Sequence, residues 1–287
     1  VIAALFSAWC SAAFLIPWKL ATRHGDPDLV VLCLLVFAAA FSTVTALFDR
    51  SNLGLLRGHL GPTLKLALLM SMFTLAGNWA SAESVHRVSG ALLAVLQRCE
   101  LIAVALLGVA LLGERVRISF WIGAAVAVGG LVVLQDHDPT THANFDSAGV
   151  FYGLASATFF GTMIVMQRRY REGVHLMPLN AMRLWFGVVL WFVVYRRVPA
   201  SAELTAPLLT YTASAAFFGP FLSRVGTLIS ARHVAASVTV FVGLWTPIFT
   251  LILAWLWLGD VPAQHELIGG AVMLTGIAIP AVATLRR

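Results

Sequence analysis

Residues 98–114 read RCELIAVALLGVALLGE, and 146 positions later residues 244–260 read LWTPIFTLILAWLWLGD. Each is an apolar run that closes on Leu-Gly and an acid, Glu114 in the first and Asp260 in the second. The correspondence extends without a gap over 89–132 and 235–278: Ile102 meets Ile248, Ile122-Gly123 meets Ile268-Gly269, and Gly130 meets Gly276. An apolar alphabet makes single identities cheap, so the weight falls on the shared order of apolar helix, Leu-Gly-acid turn, and helix with glycines seven apart. A second offset, 149, places Leu5, Ser7 and Ala8 on Leu154, Ser156 and Ala157, and basic Lys19 on Arg168. The chain thus reads as two copies of one unit, 1–135 and 148–287, joined by a linker at 136–147.

The solvent of those copies follows from composition. Hydrophobic residues make up 60% and charged residues 11% of the 287 positions, and mean hydropathy is +0.88, whereas a soluble domain is about a quarter charged. Apolar runs of about 20 residues, long enough to cross the hydrocarbon of a bilayer, recur along the chain. They predict an all-α polytopic membrane protein with ten transmembrane helices near 2–21, 29–48, 62–82, 89–112, 117–135, 148–167, 177–195, 207–230, 234–258 and 265–284. Five helices per copy is an odd number, so the second copy enters the membrane from the opposite side, an inverted repeat typical of transporters. Gly123, Gly130, Gly269, Gly270 and Gly276 suit close packing of the fifth helix of each copy.

The net charge of +6 resides in short links rather than on one polar face, which argues for membrane orientation and against nucleic acid. With the amino terminus cytoplasmic, the inner links hold Arg50, Arg57, Lys65, Arg115, Arg117, Arg168, Arg169, Arg171, Arg232, Arg286 and Arg287. The outer links then hold Lys19, Arg23, Arg87, Arg196 and Arg197, so both termini are placed inside and the acidic 136–147 linker outside. The first apolar run has neither a basic leader nor a cleavage site and reads as a retained helix. Cys10, Cys33 and Cys99 lie inside apolar runs with no pairing motif and read as packing residues. Trp18, Trp191, Trp255 and Trp257 lie near helix ends and fit interfacial belts.

Arg98 and Glu100 stand out, because ionisable side chains in an apolar helix are costly and face protein or a water-filled cavity. Their i,i+2 spacing puts them on different faces of an α-helix, so each is expected to find another partner. In a functional role Arg98 takes a carboxylate of the substrate and Glu100 an ammonium group or a proton. In a structural role they pair with other helices, Arg98 with Glu83 or Glu100 with Arg183 or Arg224. Arg183 and Arg224 are themselves either cavity groups or side chains snorkelling to headgroups, and Arg224 occupies the repeat position of Asn78. Asn78-Trp79 offers an amide beside an indole. Trp9, Phe159, Phe160, Met163, Trp185, Phe241 and Trp245 fall at similar depths on other helices and are candidates for cavity walls, where aromatic faces suit flat or cationic ligands. Glu114 and Asp260 have a structural role beside helix starts. No phosphate-binding Gly-x4-Gly-Lys-Ser/Thr loop, HExxH pair or nucleophile-base constellation occurs, so neither ATP hydrolysis, a metal, another cofactor nor an intramembrane enzyme is indicated.

The two Leu-Gly-acid turns, the following Ile-Gly-x6-Gly segments, Pro247 and Arg183 together resemble the drug/metabolite transporter superfamily, in its ten-helix EamA-type branch. The resemblance covers nearly the whole chain. It implies a 5+5 inverted-repeat fold in a bacterial inner membrane, cytoplasmic termini, and a central cavity lined mainly by helices one, three, four, six, eight and nine. It also implies export of amino acids or other small metabolites; relatives carry nucleotide sugars or quaternary amines, so a cationic amine is the rival cargo. A monomer suffices for this fold. In the first repeat Leu101 stands where Pro247 aligns, which predicts a straighter fourth helix, and Leu32 stands near where Arg183 aligns.

Overall fold

The structure, a computed structural model, describes residues 2–48, 60–113, 118–133, 146–170, 176–224, 226, 243, 245–259 and 264–285. The expected features at Glu114, Asp260, Phe241 and most of the 136–147 linker lie outside the described residues, as do parts of the eighth and ninth expected spans.

The described residues form helices throughout and no strand. In chain order these are α1 (Ile2–Thr22), α2 (Pro27–Phe48), α3 (Leu60–Arg87), α4 (Gly90–Gln97), α5 (Glu100–Leu112), α6 (Ile118–Val133), α7 (Ser147–Arg169), α8 (Leu176–Tyr195), α9 (Ala206–Ala216), a π-helical turn π1 (Phe217–Ser223), α10 (Thr246–Leu258) and α11 (Gln264–Leu285). Among the described residues, six segments are long and apolar enough to cross a membrane: Ile2–Thr22, Pro27–Leu47, Leu60–Arg87, Leu92–Leu111, Ser147–Met166 and Pro178–Tyr195. Ile118–Gly130, Thr246–Leu258 and Leu267–Gly276 are shorter apolar helices.

Local chemistry sets the boundaries. Ser89, Asp146 and Thr205 cap α4, α7 and α9, each side chain accepting a backbone N–H three residues on, from Leu92, Gly149 and Leu208. Helices α5 and α10 both end in a left-handed glycine, Gly113 at φ 67° and Gly259 at φ 62°, a conformation that costs glycine nothing. These two helices begin and end 146 residues apart, matching the sequence repeat at both termini.

The fourth expected span, where Leu101 predicts a straighter helix, has its α-helical hydrogen bonding interrupted over two residues. Helix α4 stops at Gln97 and α5 restarts at Glu100, with Arg98 and Cys99 in a tight turn between them. There the backbone switches to i→i−3 bonds: the N–H groups of Arg98, Cys99, Leu101 and Ile102 reach Val95, Leu96, Arg98 and Cys99 at 3.0–3.1 Å, a 3₁₀ geometry of the kind that marks hinges. No proline or glycine occupies the break. Helix α10 begins at the equivalent position, Thr246, where Pro247 sits in its first turn and has no N–H to satisfy. In π1, Pro220 removes a helical donor and crowds the preceding turn, and the wider π register accommodates its ring.

Inside lipid the hydrophobic effect does not drive helices together, so close backbone approach must. It is clearest where α6 crosses α11. A Cβ on Gly130 would lie 2.5 Å from the Met273 nitrogen and 2.8 Å from the Gly269 oxygen; one on Gly276 would lie 2.5 Å from the Ala127 nitrogen and the Gly123 oxygen. The contacts are reciprocal under the 146-residue shift. The largest buried cluster joins α1, α2, α3, α4, α8 and α9 around Trp18, Leu34, Leu35, Leu184 and Trp191. Trp18 and Trp191 are fully buried rather than interfacial. Their indole N–H groups are satisfied inside the protein, by the Ser81 hydroxyl at 3.3 Å and the Asp28 carbonyl at 2.8 Å, as buried indoles require. Trp255 and Trp257 are exposed.

Candidate functional site

A cavity of about 220 Å³ lies among the helices. Its wall is built from positions related by the sequence repeat. Ser11, Phe14, Leu34 and Leu35 line it, and so do their partners 149 positions on, Phe160, Met163, Arg183 and Leu184. Thr74 and Asn78 line it with their partners at 146, Pro220 and Arg224. Gln97, Arg98, Ser223 and Thr246 complete the polar lining. The repeat position of Arg183 on this wall is Leu34, two residues beyond Leu32. Besides the helices implied by the resemblance, the second and seventh spans contribute directly through Leu34, Leu35, Arg183 and Leu184.

Of the 19 basic residues, three fall by sequence within spans rather than in links or at span ends: Arg98, Arg183 and Arg224. All three line this one cavity. Arg183 is buried rather than snorkelling, and its donors are fixed by neutral oxygens and a sulfur. Its Nε and Nη2 donate to Asn180 Oδ1 at 3.0 and 2.7 Å, and its Nη1 donates to Thr74 Oγ1 at 2.7 Å and to Met163 S at 3.1 Å. Thr74 passes its own proton to the Met70 carbonyl at 2.8 Å, leaving a lone pair for the guanidinium. Asn180 Nδ2 donates to Ser42 Oγ at 2.9 Å, which orients the amide. The network holds the arginine in place and supplies no negative charge.

Arg98 sits on the 3₁₀ turn, and there the expected separation from Glu100 fails. Two residues apart subtend about 160° on an α-helix but about 120° in 3₁₀ geometry, and Arg98 Nη1 reaches Glu100 Oε1 at 3.7 Å. This is a loose ion pair, longer than a charge-assisted hydrogen bond. Arg98 Nε is buried and makes no hydrogen bond among the described residues. Glu83 pairs with Arg87 at 2.8 Å and not with Arg98. Arg224 lies within electrostatic reach of both Arg183 and Glu100. Behind the wall, Gln97 Nε2 donates to Ser81 Oγ at 3.2 Å, the same hydroxyl that receives the Trp18 indole, so α1, α3 and α4 are tied together. Ser11 Oγ and Ser223 Oγ are 2.6 Å apart, joining α1 to π1.

Of the residues singled out from sequence, Asn78, Arg98, Phe160, Met163, Arg183 and Arg224 line the cavity, and Glu100 joins it through Arg98. Asn78 also donates to the Thr74 carbonyl at 2.7 Å. The structure places Trp9, Trp79, Phe159, Trp185 and Trp245 outside the lining. Trp9, Trp185 and Trp245 are exposed on outer faces, where Trp9 meets Phe218 edge-on, Trp185 donates to Thr43 Oγ1 at 3.0 Å and Trp245 lies beside Phe249. Trp79 packs against Tyr152, and Phe159 against Phe73. Helical phase explains both: the adjacent residues, Asn78 and Phe160, face inward. Phe14, Thr74, Gln97 and Thr246 went unnoticed in the sequence, although Phe14 is the repeat partner of Met163 and the repeat offset would have identified it.

The sequence profile described as the EamA-like transporter family matches residues 1–135 and again 147–281. The chain is 28% identical over 224 residues to a protein of Streptantibioticus cattleyicolor named "Probable terminal-alkyne amino-acid exporter", covering 76% of this chain and 71% of that one. It is 24% identical over 172 residues to "Uncharacterized transporter YdfC" of Bacillus subtilis, covering 57% of this chain and about half, 53%, of the relative. A solved crystal structure superimposes with a TM-score of 0.58 at 16% identity, over 98% of this chain and 97% of that one, and so shares the fold.

Proposed function

The chain belongs to the EamA-like transporter family, a transporter and not an enzyme, and on that premise we propose that it exports a small metabolite, an amino acid, by alternating access. The observation that carries this reading is the cavity wall built from repeat-equivalent positions of both halves. In this reading the chain has ten transmembrane helices, and residues 1–135 and 148–287 are inverted five-helix halves joined outside the membrane. A monomer in a bacterial inner membrane, with both termini cytoplasmic, is sufficient. The orientation is supported by the bias of the links, eleven Lys and Arg on the inner side against five on the outer. The halves rock about the α6–α11 crossing, and the 3₁₀ turn at Arg98–Cys99 lets α4 and α5 move separately, so the cavity opens to each side in turn.

Substrate selection falls to the polar lining. Arg98 and Arg183 receive the carboxylate, Glu100 receives the ammonium group, Asn78 offers an amide, and Met163 with Phe160 and Phe14 packs the side chain. The cavity is smaller than the roughly 300–1,000 Å³ of drug-sized pockets, which suits a compact cargo. A cationic amine is disfavoured, because it would enter beside three guanidinium groups with a single carboxylate. Counterflow of radiolabelled amino acids and amines in proteoliposomes tests the reading. Saturable amino-acid exchange that is lost in Arg98→Gln and Glu100→Gln is the expected result; amine exchange that survives Arg98→Gln contradicts it.

A further inference from the structure

From the charge balance of the cavity we infer that the cargo carries two acidic groups: a small dianion of the dicarboxylate, acidic amino acid or phosphate-ester kind. The inference rests on the transport reading and narrows it. Arg98, Arg183 and Arg224 line the cavity, and among the described residues Glu100 is the acid beside them, 3.7 Å from Arg98 and within electrostatic reach of Arg224. Of the 13 acidic residues in the chain, Glu100 is the one that falls mid-span; the others lie by sequence in links or within about a turn of a helix end. By sequence, the segments beyond the described residues add basic residues such as Arg232 and His233 and no further mid-span acid.

An excess of two positive charges at this depth is expensive unless something neutralises it. Neutral dipoles hold Arg183 in position without doing so, and the Arg98 ion pair is long and leaves Nε without a bond among the described residues. The excess is also one-sided in the repeat. Arg183 and Arg224 occupy the wall positions of Leu34 and Asn78 in the other half, so the symmetry of the fold does not require either charge. Guanidinium forks match carboxylate and phosphate oxygens in geometry as well as sign. Two acidic groups, one toward Arg98 and one between Arg183 and Arg224, would bring the cavity close to neutrality.

The test is counterflow in proteoliposomes with a panel of succinate, L-glutamate, glycerol 3-phosphate, L-alanine and L-phenylalanine, together with thermal unfolding of the purified chain in the presence of each. The expected result is exchange of one or more dianions in preference to both zwitterions, reduced about tenfold or more in Arg224→Gln, since a lost charge-assisted bond costs about 1.5–3 kcal/mol, and partly restored in Arg224→Lys. Whether succinate, glutamate or the phosphate ester exchanges best separates carboxylate from phosphate cargo. The exchanged dianion should also raise the melting temperature of the unsubstituted chain, a readout independent of whether the variants fold. Exchange of alanine or phenylalanine with the dianions excluded overturns the inference and leaves the transport reading standing. No exchange with any member, from folded protein, overturns both.

Discussion

Arg183 shows at the level of a single side chain how this protein places a charge in lipid. Burial of an unpaired guanidinium is opposed by several kcal/mol, and here Asn180 and Thr74 offset part of it by taking three of its donor contacts. Asn180→Ala removes the shared acceptor, leaves Nε and Nη2 unsatisfied in a buried site, and is expected to destabilise the fold by about 2–3 kcal/mol; thermal unfolding in detergent measures it. Asn180→Asp supplies a charge instead and should preserve stability while weakening cargo exchange, because it cancels the field the cargo meets. The sequence identified Arg183, Arg98 and Glu100 by cost alone, since ionisable residues in apolar runs are conspicuous. It did not identify Thr74, Gln97 or Thr246, whose hydroxyl and amide groups are common in membrane helices, and Trp79 and Phe159 stand one residue of helical phase from the lining residues Asn78 and Phe160.

Two features at the scale of helices follow from backbone rather than side-chain chemistry. At the α6–α11 crossing a Cβ on Gly276 would meet backbone atoms of Gly123 and Ala127 at 2.5 Å, which no rotamer change relieves. Gly276→Val is therefore expected to destabilise by about 1–3 kcal/mol or more, whereas Gly129→Val, with open space around it, should leave the unfolding midpoint nearly unchanged. The restart of α5 at Glu100 makes a contrasting prediction. Leu101 sits in the first turn of a helix, as Pro247 does in α10, so Leu101→Pro loses one i→i−3 bond and should cost about 1 kcal/mol, against about 3 kcal/mol for Leu106→Pro within α5. Equal loss of stability in the two variants would contradict the hinge. The repeat was legible in sequence because Gly113, Gly259, Gly130 and Gly276 mark turns and crossings that only glycine fits. The break at Arg98–Cys99 was not, because it arises without a proline or glycine and so leaves no local signature.

For the whole molecule, the helical membrane fold and the twofold repeat could be read from hydropathy and the 146-residue offset, while the convergence of Arg98, Arg183 and Arg224 could not. These residues lie on the fourth, seventh and eighth spans, 126 positions apart at the extremes, and only packing brings them to one cavity. The central claim is that this cavity, walled by both halves, is reached from both sides of the membrane in turn. The most direct test introduces Asn78→Cys into a chain whose three native cysteines have been replaced, and measures labelling by a membrane-impermeant thiol reagent added to either side of sealed vesicles. The account predicts labelling from each side, slowed by the cargo in both cases. Labelling from one side alone, under every cargo condition, would contradict it.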